Sequence, residues 1–232
     1  MKSREHLLNT VRNITRSFPK PAEGDWKIKL KNTSDHRESH PELLNGFLSA
    51  IAQTGGNAIL FGSVQEWRSW FLKYVQENNP SKIIAALGKI SPEFREVFGA
   101  WKDNRKLSIL IQSPEDNNSD TDIRSKEFIA DTDISVTFAW AGLADSGGVM
   151  IASQPGESRS ASLLPPTHIC LLHRADIYRN MEHLLPKLSE LMHSIRPSSI
   201  VCIGGPSRTA DIEKVLVTGV HGPKKFIVCI IP

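Results

Sequence analysis

Ile200-Val201-Cys202-Ile203-Gly204-Gly205-Pro206-Ser207-Arg208-Thr209-Ala210-Asp211-Ile212-Glu213 is the stretch whose reading decides the fold. Its apolar opening reads as a buried strand. Two glycines and a proline then turn the chain sharply. Ser207 and Thr209 are both helix N-cap types, and Asp211 and Glu213 fall in the first turn of the helix they would start. Ile212, Val215 and Leu216 give that helix one apolar face, and Gly219 stands where a helix C-terminus favours a residue without a Cβ. The run therefore predicts a strand, a glycine turn and a helix N-terminus. Such a geometry aims free backbone N–H groups and the positive end of a helix dipole at one point. Arg208 adds a planar, bidentate cation. Two readings stay open: a pocket for a carboxylate or phosphate, and an ordinarily capped αβ unit in which Arg208 pairs with Asp211 or Glu213. The run is neither a Walker loop nor a dinucleotide fingerprint, because it lacks the GKS or GKT ending and the G-x-G-x-x-G spacing.

Working outward, strand-like apolar runs alternate with helical patterns. The strands are read at residues 58–61, 83–87, 107–111, 134–140, 149–152, 167–172, 200–203 and 226–231. Helices are read at 41–53, at 64–78 with Trp67, Phe71, Tyr74 and Val75 on one face, from Pro92 through Trp101, and at 176–195 with Pro186 breaking or restarting the last. The alternation predicts a three-layer α/β/α fold with a mainly parallel sheet. Ligands of such sheets bind beyond the carboxyl ends of the strands. The 204–213 run, the loop after Leu172 and a small-residue corner at 141–148 are expected at such ends.

In that corner, between two expected strands, Asp145 is the charged residue. It suits a ligand hydroxyl or a base role, and equally a bond to nearby backbone amides. Residues 157–166 read as a short helical turn halted by prolines. His168 and His173 lie on opposite sides of one strand and cannot share a metal. The acidic loop 113–122 lacks the glycine and terminal glutamate of an EF-hand.

The whole-chain values are those of an ordinary globule: 232 residues, net charge +3, 40% hydrophobic and 23% charged. No basic stripe interleaved with aromatics suggests nucleic acid. Cys170, Cys202 and Cys229 each sit in an apolar run without C-x-x-C spacing, which argues for a reducing compartment and for small buried filler. No metal site is expected. The N-terminus lacks a secretory h-region, and no apolar run is long enough for a membrane span, so a cytoplasmic protein is expected. Residues 1–40 read as a helical arm and polar tether, and residues 41–232 as the main domain.

The chain also carries Ser146-Gly147-Gly148, Leu163-Leu164-Pro165-Pro166-Thr167-His168-Ile169, Gly205-Pro206-Ser207-Arg208-Thr209-Ala210-Asp211-Ile212-Glu213 and Val220-His221-Gly222-Pro223. Together these resemble the LUD domain, and more closely the lactate-utilisation protein C (LutC/YkgG-like) family. The resemblance is dense from about residue 133 to 231. It implies a fold similar to the NagB/RpiA/CoA-transferase group. It also implies an accessory role in a bacterial system that oxidises L-lactate to pyruvate, with no cofactor in this chain and iron–sulfur clusters on partner proteins. Two alternatives remain: an enzyme of the same fold class binding a nucleotide, CoA ester or sugar phosphate at the 204–211 turn, and a module that binds lactate or pyruvate as a small anionic metabolite. No catalytic residue carries over. His221 and Asp145 are the candidates for proton transfer, with a structural role for His221 as the competing reading. The ligand-binding expectation rests on Gly205, Ser207, Arg208, Thr209, Asp211, His221 and Gly222, with Gly147 and Gly148 from the corner. The family pattern has a glutamate and a Gly-Thr pair where this chain has Asp145 and Gly147-Gly148, so the corner is one methylene shorter and lacks a hydroxyl.

Overall fold

The computed structural model describes residues 41–88, 92–99, 107–112, 127–210, 216–218 and 222–232. All of them fall in one compact unit, Ser34–Pro232. The expected N-terminal arm, the acidic loop 113–122, Asp211 and His221 lie outside the described residues.

Helix α1, Pro41–Gln53, buries Leu44, Phe47 and Ile51. This is the i, i+3, i+7 stripe of an amphipathic helix. Strand β1 is Asn57–Leu60. Helix α2, Val64–Asn78, starts at Ser63, whose side chain accepts from the Glu66 amide at 3.2 Å, while Glu66 accepts from the Gly62 amide at 2.7 Å. That reciprocal pair satisfies amides that an uncapped helix leaves free. Asn79 ends α2 in the left-handed region at φ 43°. Strand β2 is Lys82–Ala86, helix α3 is Pro92–Gly99 and strand β3 is Ser108–Gln112. Strand β4 is Ile134–Ala139, β5 is Ala141–Leu143, β6 is Val149–Ser153 and β7 is Thr167–His173. A 3-10 turn, Arg159–Ser162, lies between β6 and β7. Strand β8 is Ile177–Tyr178, helix α4 is Met181–Ser194 and β9 is Ser199–Ile203. Strands β10, Arg208–Ala210, and β11, Leu216–Thr218, precede β12, Lys225–Ile231.

The expected mainly parallel sheet is present. Six strands in the order β1-β12-β7-β4-β2-β3 all pair in parallel. Its odd-numbered β2, β7 and β12 residues join α2 and α3 in one core, where Trp67 stacks on Phe71 at 5.2 Å and meets Phe94 at 5.1 Å. On the other face, Cys170, Leu172, Val228 and Ile230 pack against α1 and against Val149 and Ile151 of β6. A second sheet, β8-β5-β6-β9, therefore shares that layer with α1. Its remaining face, through Ala141, Leu143 and Met150, takes Leu184 of α4.

Four local expectations change. The 134–152 region is not two strands joined by a corner: β4 belongs to the large sheet, while Ala141–Leu143 leaves it to pair with β6 and β8. Residues 177–178 are a strand because Gly142 and Leu143 offer them a parallel partner. Helix α4 starts later, capped by Asn180, and runs through Pro186 unbroken because Leu184 and Leu191 anchor it on either side of the proline. Finally, the expected helix after residue 207 is replaced at both ends by a hairpin, with Arg208 opposite Thr218 and Ala210 opposite Leu216. β-Branched Thr209, Val217 and Thr218 favour that pairing. The cap-type residues served turn geometry equally well.

Gly147 tests how tightly this face is built. It has φ +68°, and a Cβ there would lie 2.6 Å from Cα of Ile51 in α1. Gly147→Ala is expected to cost roughly 2–4 kcal/mol, from backbone strain and displacement of α1 together. Urea unfolding checks this; an unchanged midpoint would show that α1 yields freely there.

Candidate functional site

The turn at residues 204–207 continues from β9 and rests on the end of α1. A Cβ on Gly205 would lie 2.9 Å from the Thr54 carbonyl oxygen, and one on Gly222 would lie 3.2 Å from Cβ of Ser207. The Ser207 amide donates to the Pro223 carbonyl at 2.9 Å. Arg208 and Thr209 then enter the hairpin opposite Thr218 and Val217. The Asp145 turn lies against the same end of α1. Gly147 packs on Ala50 and Ile51, and a Cβ on Gly148 would lie 2.9 Å from Sγ of Cys202. Asp145 itself is exposed, and its amide donates to the Arg179 carbonyl at 3.1 Å.

The fold thus sets Gly147 against Ala50 and Ile51 and Gly205 against Thr54, with Gly148 beside Cys202 and Gly222 beside Ser207. This is the amino side of the large sheet, since Thr54 precedes β1 and Pro223 precedes β12. The loop after Leu172 lies at the opposite, carboxyl end, where Nδ1 of His173 sits 2.7 Å from the Pro232 carbonyl oxygen. The expected gathering of all three segments at carboxyl ends is therefore corrected. With the hairpin in place of a helix, residues 208–210 contribute no helix dipole, and the Ser207 amide is already bound to a protein carbonyl. Cys202 is also not buried filler: it is exposed, and partial burial together with the nearby Asp145 charge raises its thiol pKa.

The carboxyl side of the large sheet holds a constellation that spacing did not reveal. From β2 the chain winds outward to β3; from β4 it winds the other way to β7. The β2–β4 boundary is therefore where the winding reverses, the place where open α/β sheets hold ligands. Gly88, two residues past β2, donates its amide to the Gly156 carbonyl at 3.2 Å. Gln112, the last residue of β3, accepts from the Ser158 amide at 3.0 Å. Between these contacts Glu157 is buried at 5% exposure, with Oε2 accepting from Nε2 of Gln154 at 2.9 Å. Gly88 has φ +53°, and a Cβ there would collide with the Glu157 carboxyl, 2.7 Å from its Cδ. Burial pushes this carboxyl up to about 7, against the opposing effect of the Gln154 bond.

Deeper on the same face, Oγ1 of Thr137 and Nε2 of His168 are 2.7 Å apart, and Nδ1 of His168 has no hydrogen-bond partner. Burial pushes the imidazole down to about 3, so it is neutral. The Cys170 thiol, next to Thr137 and within electrostatic reach of Glu157, is pushed up to about 12 by burial. Sequence reading missed Glu157 because an isolated glutamate in a Gly-Glu-Ser-Arg loop carries no periodic signal. Only β6 and the 3-10 turn carry it beneath the sheet's rim. Among the described residues, no group of three or more His, Cys, Asp or Glu side chains could hold a metal ion. No helix among them is long and apolar enough to cross a membrane.

These two buried groups set opposite pH dependences. An unfolded carboxyl releases its proton near 4.5, whereas folded Glu157 keeps it to about 7. The native state then binds more protons in that window, and its stability falls as pH rises through it. Unfolded imidazole takes a proton near 6.5 but His168 refuses it until about 3, so its contribution is lost as pH falls below 6.5. Glu157→Gln is expected to remove the first slope, worth roughly 3 kcal/mol, and to keep the second. Urea midpoints check it: the variant should exceed the wild type at about pH 8 and lose that advantage toward about pH 5. Parallel pH profiles would refute it.

Residues 44–231 match the family model of the LUD domain. The chain is similar to the Lactate utilization protein C of Shouchella clausii, 38% identical over 135 residues, covering 54% of this chain and 58% of that protein. It is also similar to the uncharacterized protein YkgG of Escherichia coli, 41% identical over 100 residues, covering 42% of this chain and 43% of that protein. The chain spans about half the length of the curated relatives it matches. In structure it resembles a DUF162 family protein from Deinococcus radiodurans, with a TM-score of 0.55 and 17% identity, covering 82% of this chain and 97% of that one. That likeness speaks for the fold alone.

Proposed function

The chain belongs to the LUD domain family, and from that premise we propose that it acts in bacterial lactate utilisation. Its role is that of a cytoplasmic accessory subunit in the oxidation of L-lactate to pyruvate, working with iron–sulfur proteins that carry the clusters. The observation that carries this reading is its similarity to proteins named Lactate utilization protein C.

The disposition of the cysteines supports the division of labour. A cluster needs several thiolates converging on one point. Cys170 and Cys229 lie in the cores on opposite faces of the large sheet. Burial raises both thiols, Cys170 to about 12, so neither offers a thiolate at neutral pH. Cys202 lies in the other sheet. Electrons from lactate would therefore pass through partner-held clusters, with this chain organising or supplying the organic ligand.

Reconstitution tests the reading. The purified full chain is added to its iron–sulfur partners, and lactate-dependent dye reduction is measured with and without it. A rate that depends on the chain, about tenfold or more, is the expected outcome. Equal rates in its absence would remove it from the reaction.

A further inference from the structure

We propose that β9 is a docking edge for a second copy of this chain: two β9 strands pair antiparallel about a two-fold axis at Val201 and join the two small sheets into one. The inference does not depend on the lactate-utilisation role.

The strand itself is the first support. Ser199–Ile203 carries no charge, proline or glycine. It ends the order β8-β5-β6-β9, and among the described residues it pairs only with β6. Edge strands of monomers are commonly guarded by a charge, a proline or a bulge, because their outward amides invite another strand. The phase of the ladder identifies those amides. In an antiparallel sheet, successive residues turn their amide and carbonyl to opposite sides. The Gly148 and Met150 carbonyls accept from the Leu143 and Trp140 amides on the β5 side, each at 2.8 Å. Val149 and Ile151 therefore face β9, and their partners Ile203 and Val201 face back. Ile200 and Cys202 are left with amide and carbonyl aimed outward. A two-fold axis at Val201 sets Ile200 of each copy opposite Cys202 of the other, and each such pair exchanges two N–H···O bonds. The same patch then serves both copies, as a two-fold contact requires.

The surface beside this edge is the second support. Lys187, on one flank of α4, pairs with Asp176 and lies over the Tyr178 ring, so that flank faces β8. Met181, Leu188 and Met192 recur at helical spacing on the other flank, toward β9. Leu188 lines a narrow slot there with Met150, Ala152 and Ile200. Met181 is 38% exposed and Met192 47%. Cys202, opposite Met150 and so on the same face of the sheet, is exposed as well. Helix α4 thus covers the β8 side of the sheet and leaves an apolar step on the β9 side. The second copy's β9 extends the floor of that step, with Ile200 of one copy beside Cys202 of the other.

Charge favours a second copy over an arbitrary strand. Arg196 is exposed just before β9, and Asp145 is exposed in the turn next to the strand's far end, near enough to act on the Cys202 thiol. Among the described residues neither is in an ion pair. Antiparallel pairing reverses one strand, so Arg196 of each copy arrives at the end that carries Asp145 of the other. Complementary charges placed this way select the partner and its direction.

Sedimentation equilibrium of the full chain over a range of concentrations tests the proposal, with amide exchange as a second readout. A species of twice the 25.8 kDa chain mass is expected, with the Ile200 and Cys202 amides exchanging more slowly as the dimer fills. A monomer at every concentration would overturn the proposal, as would a dimer in which those two amides exchange as freely as in the monomer. The wild-type chain alone decides this. Cys202→Pro removes one outward amide per copy and spares the β6 ladder, since an edge strand tolerates proline where the amide faces away from the sheet. Cys202→Lys places a cation on the edge. Each variant should weaken dimerisation by about tenfold or more while its urea midpoint stays near that of the wild type. Unchanged affinity in both would put the contact on another face and refute the role of β9. Protection of the two amides only when iron–sulfur partners are added would give the edge to them and equally defeat self-pairing.

Discussion

Strand β4 is the constraint on which the rest of the structure depends. It pairs in parallel with β2 on one side and β7 on the other, and of its residues only Phe138 is partly exposed. A parallel strand so placed must have both faces covered. One face receives α2 and α3, rich in aromatics. The other receives α1 and the second sheet. Polar residues on that second face must then find partners inside the protein. Thr137 finds one in His168 on the neighbouring strand. The unpartnered Nδ1 of His168 marks how little room the layer leaves.

Glycines make that second layer possible. A Cβ on Gly142 would lie 2.8 Å from Leu172 and 3.1 Å from Phe47. Gly142 thus lets β5 approach the sheet and α1 at once, and Gly147 does the same at the far end of α1. The small-residue corner is therefore filled by protein: α1 occupies the room left at Gly147, and Cys202 the room left at Gly148. Close backbone approach was a fair inference from those residues. What approaches them in this structure is the protein's own helix and thiol.

The same layer separates the molecule's two candidate regions. The family's densest motif lies on the amino side of the large sheet, in a turn and hairpin joined to the end of α1. The buried glutamate lies on the carboxyl side, where the winding reverses. Both segments follow strands of the small sheet, β9 and β6, which pair antiparallel and so leave their layer in opposite directions. A motif dense in sequence and a buried acidic group can in this way occupy opposite ends of one domain.

Periodicity and punctuation sufficed for much of this protein. The 41–53 and 64–78 helices, the 3-10 turn before the prolines, and the parallel strands were legible because each carries its own apolar period and its own caps or breaks. The family was legible in the runs around Ser207 and Leu163. Tertiary pairing decided the rest. Residues 208–218 carry helix-cap chemistry and β-branched residues together, and the antiparallel partner opposite Arg208–Ala210 settled the choice. Residues 177–178 became a strand because β5 lay beside them. The carboxyl of Glu157 lost its water because its loop folded onto Gly88 at the end of a distant strand. Local sequence encodes which backbone conformations are favoured; which neighbour arrives, and which side chain it strips of solvent, depends on contacts between residues far apart in the chain.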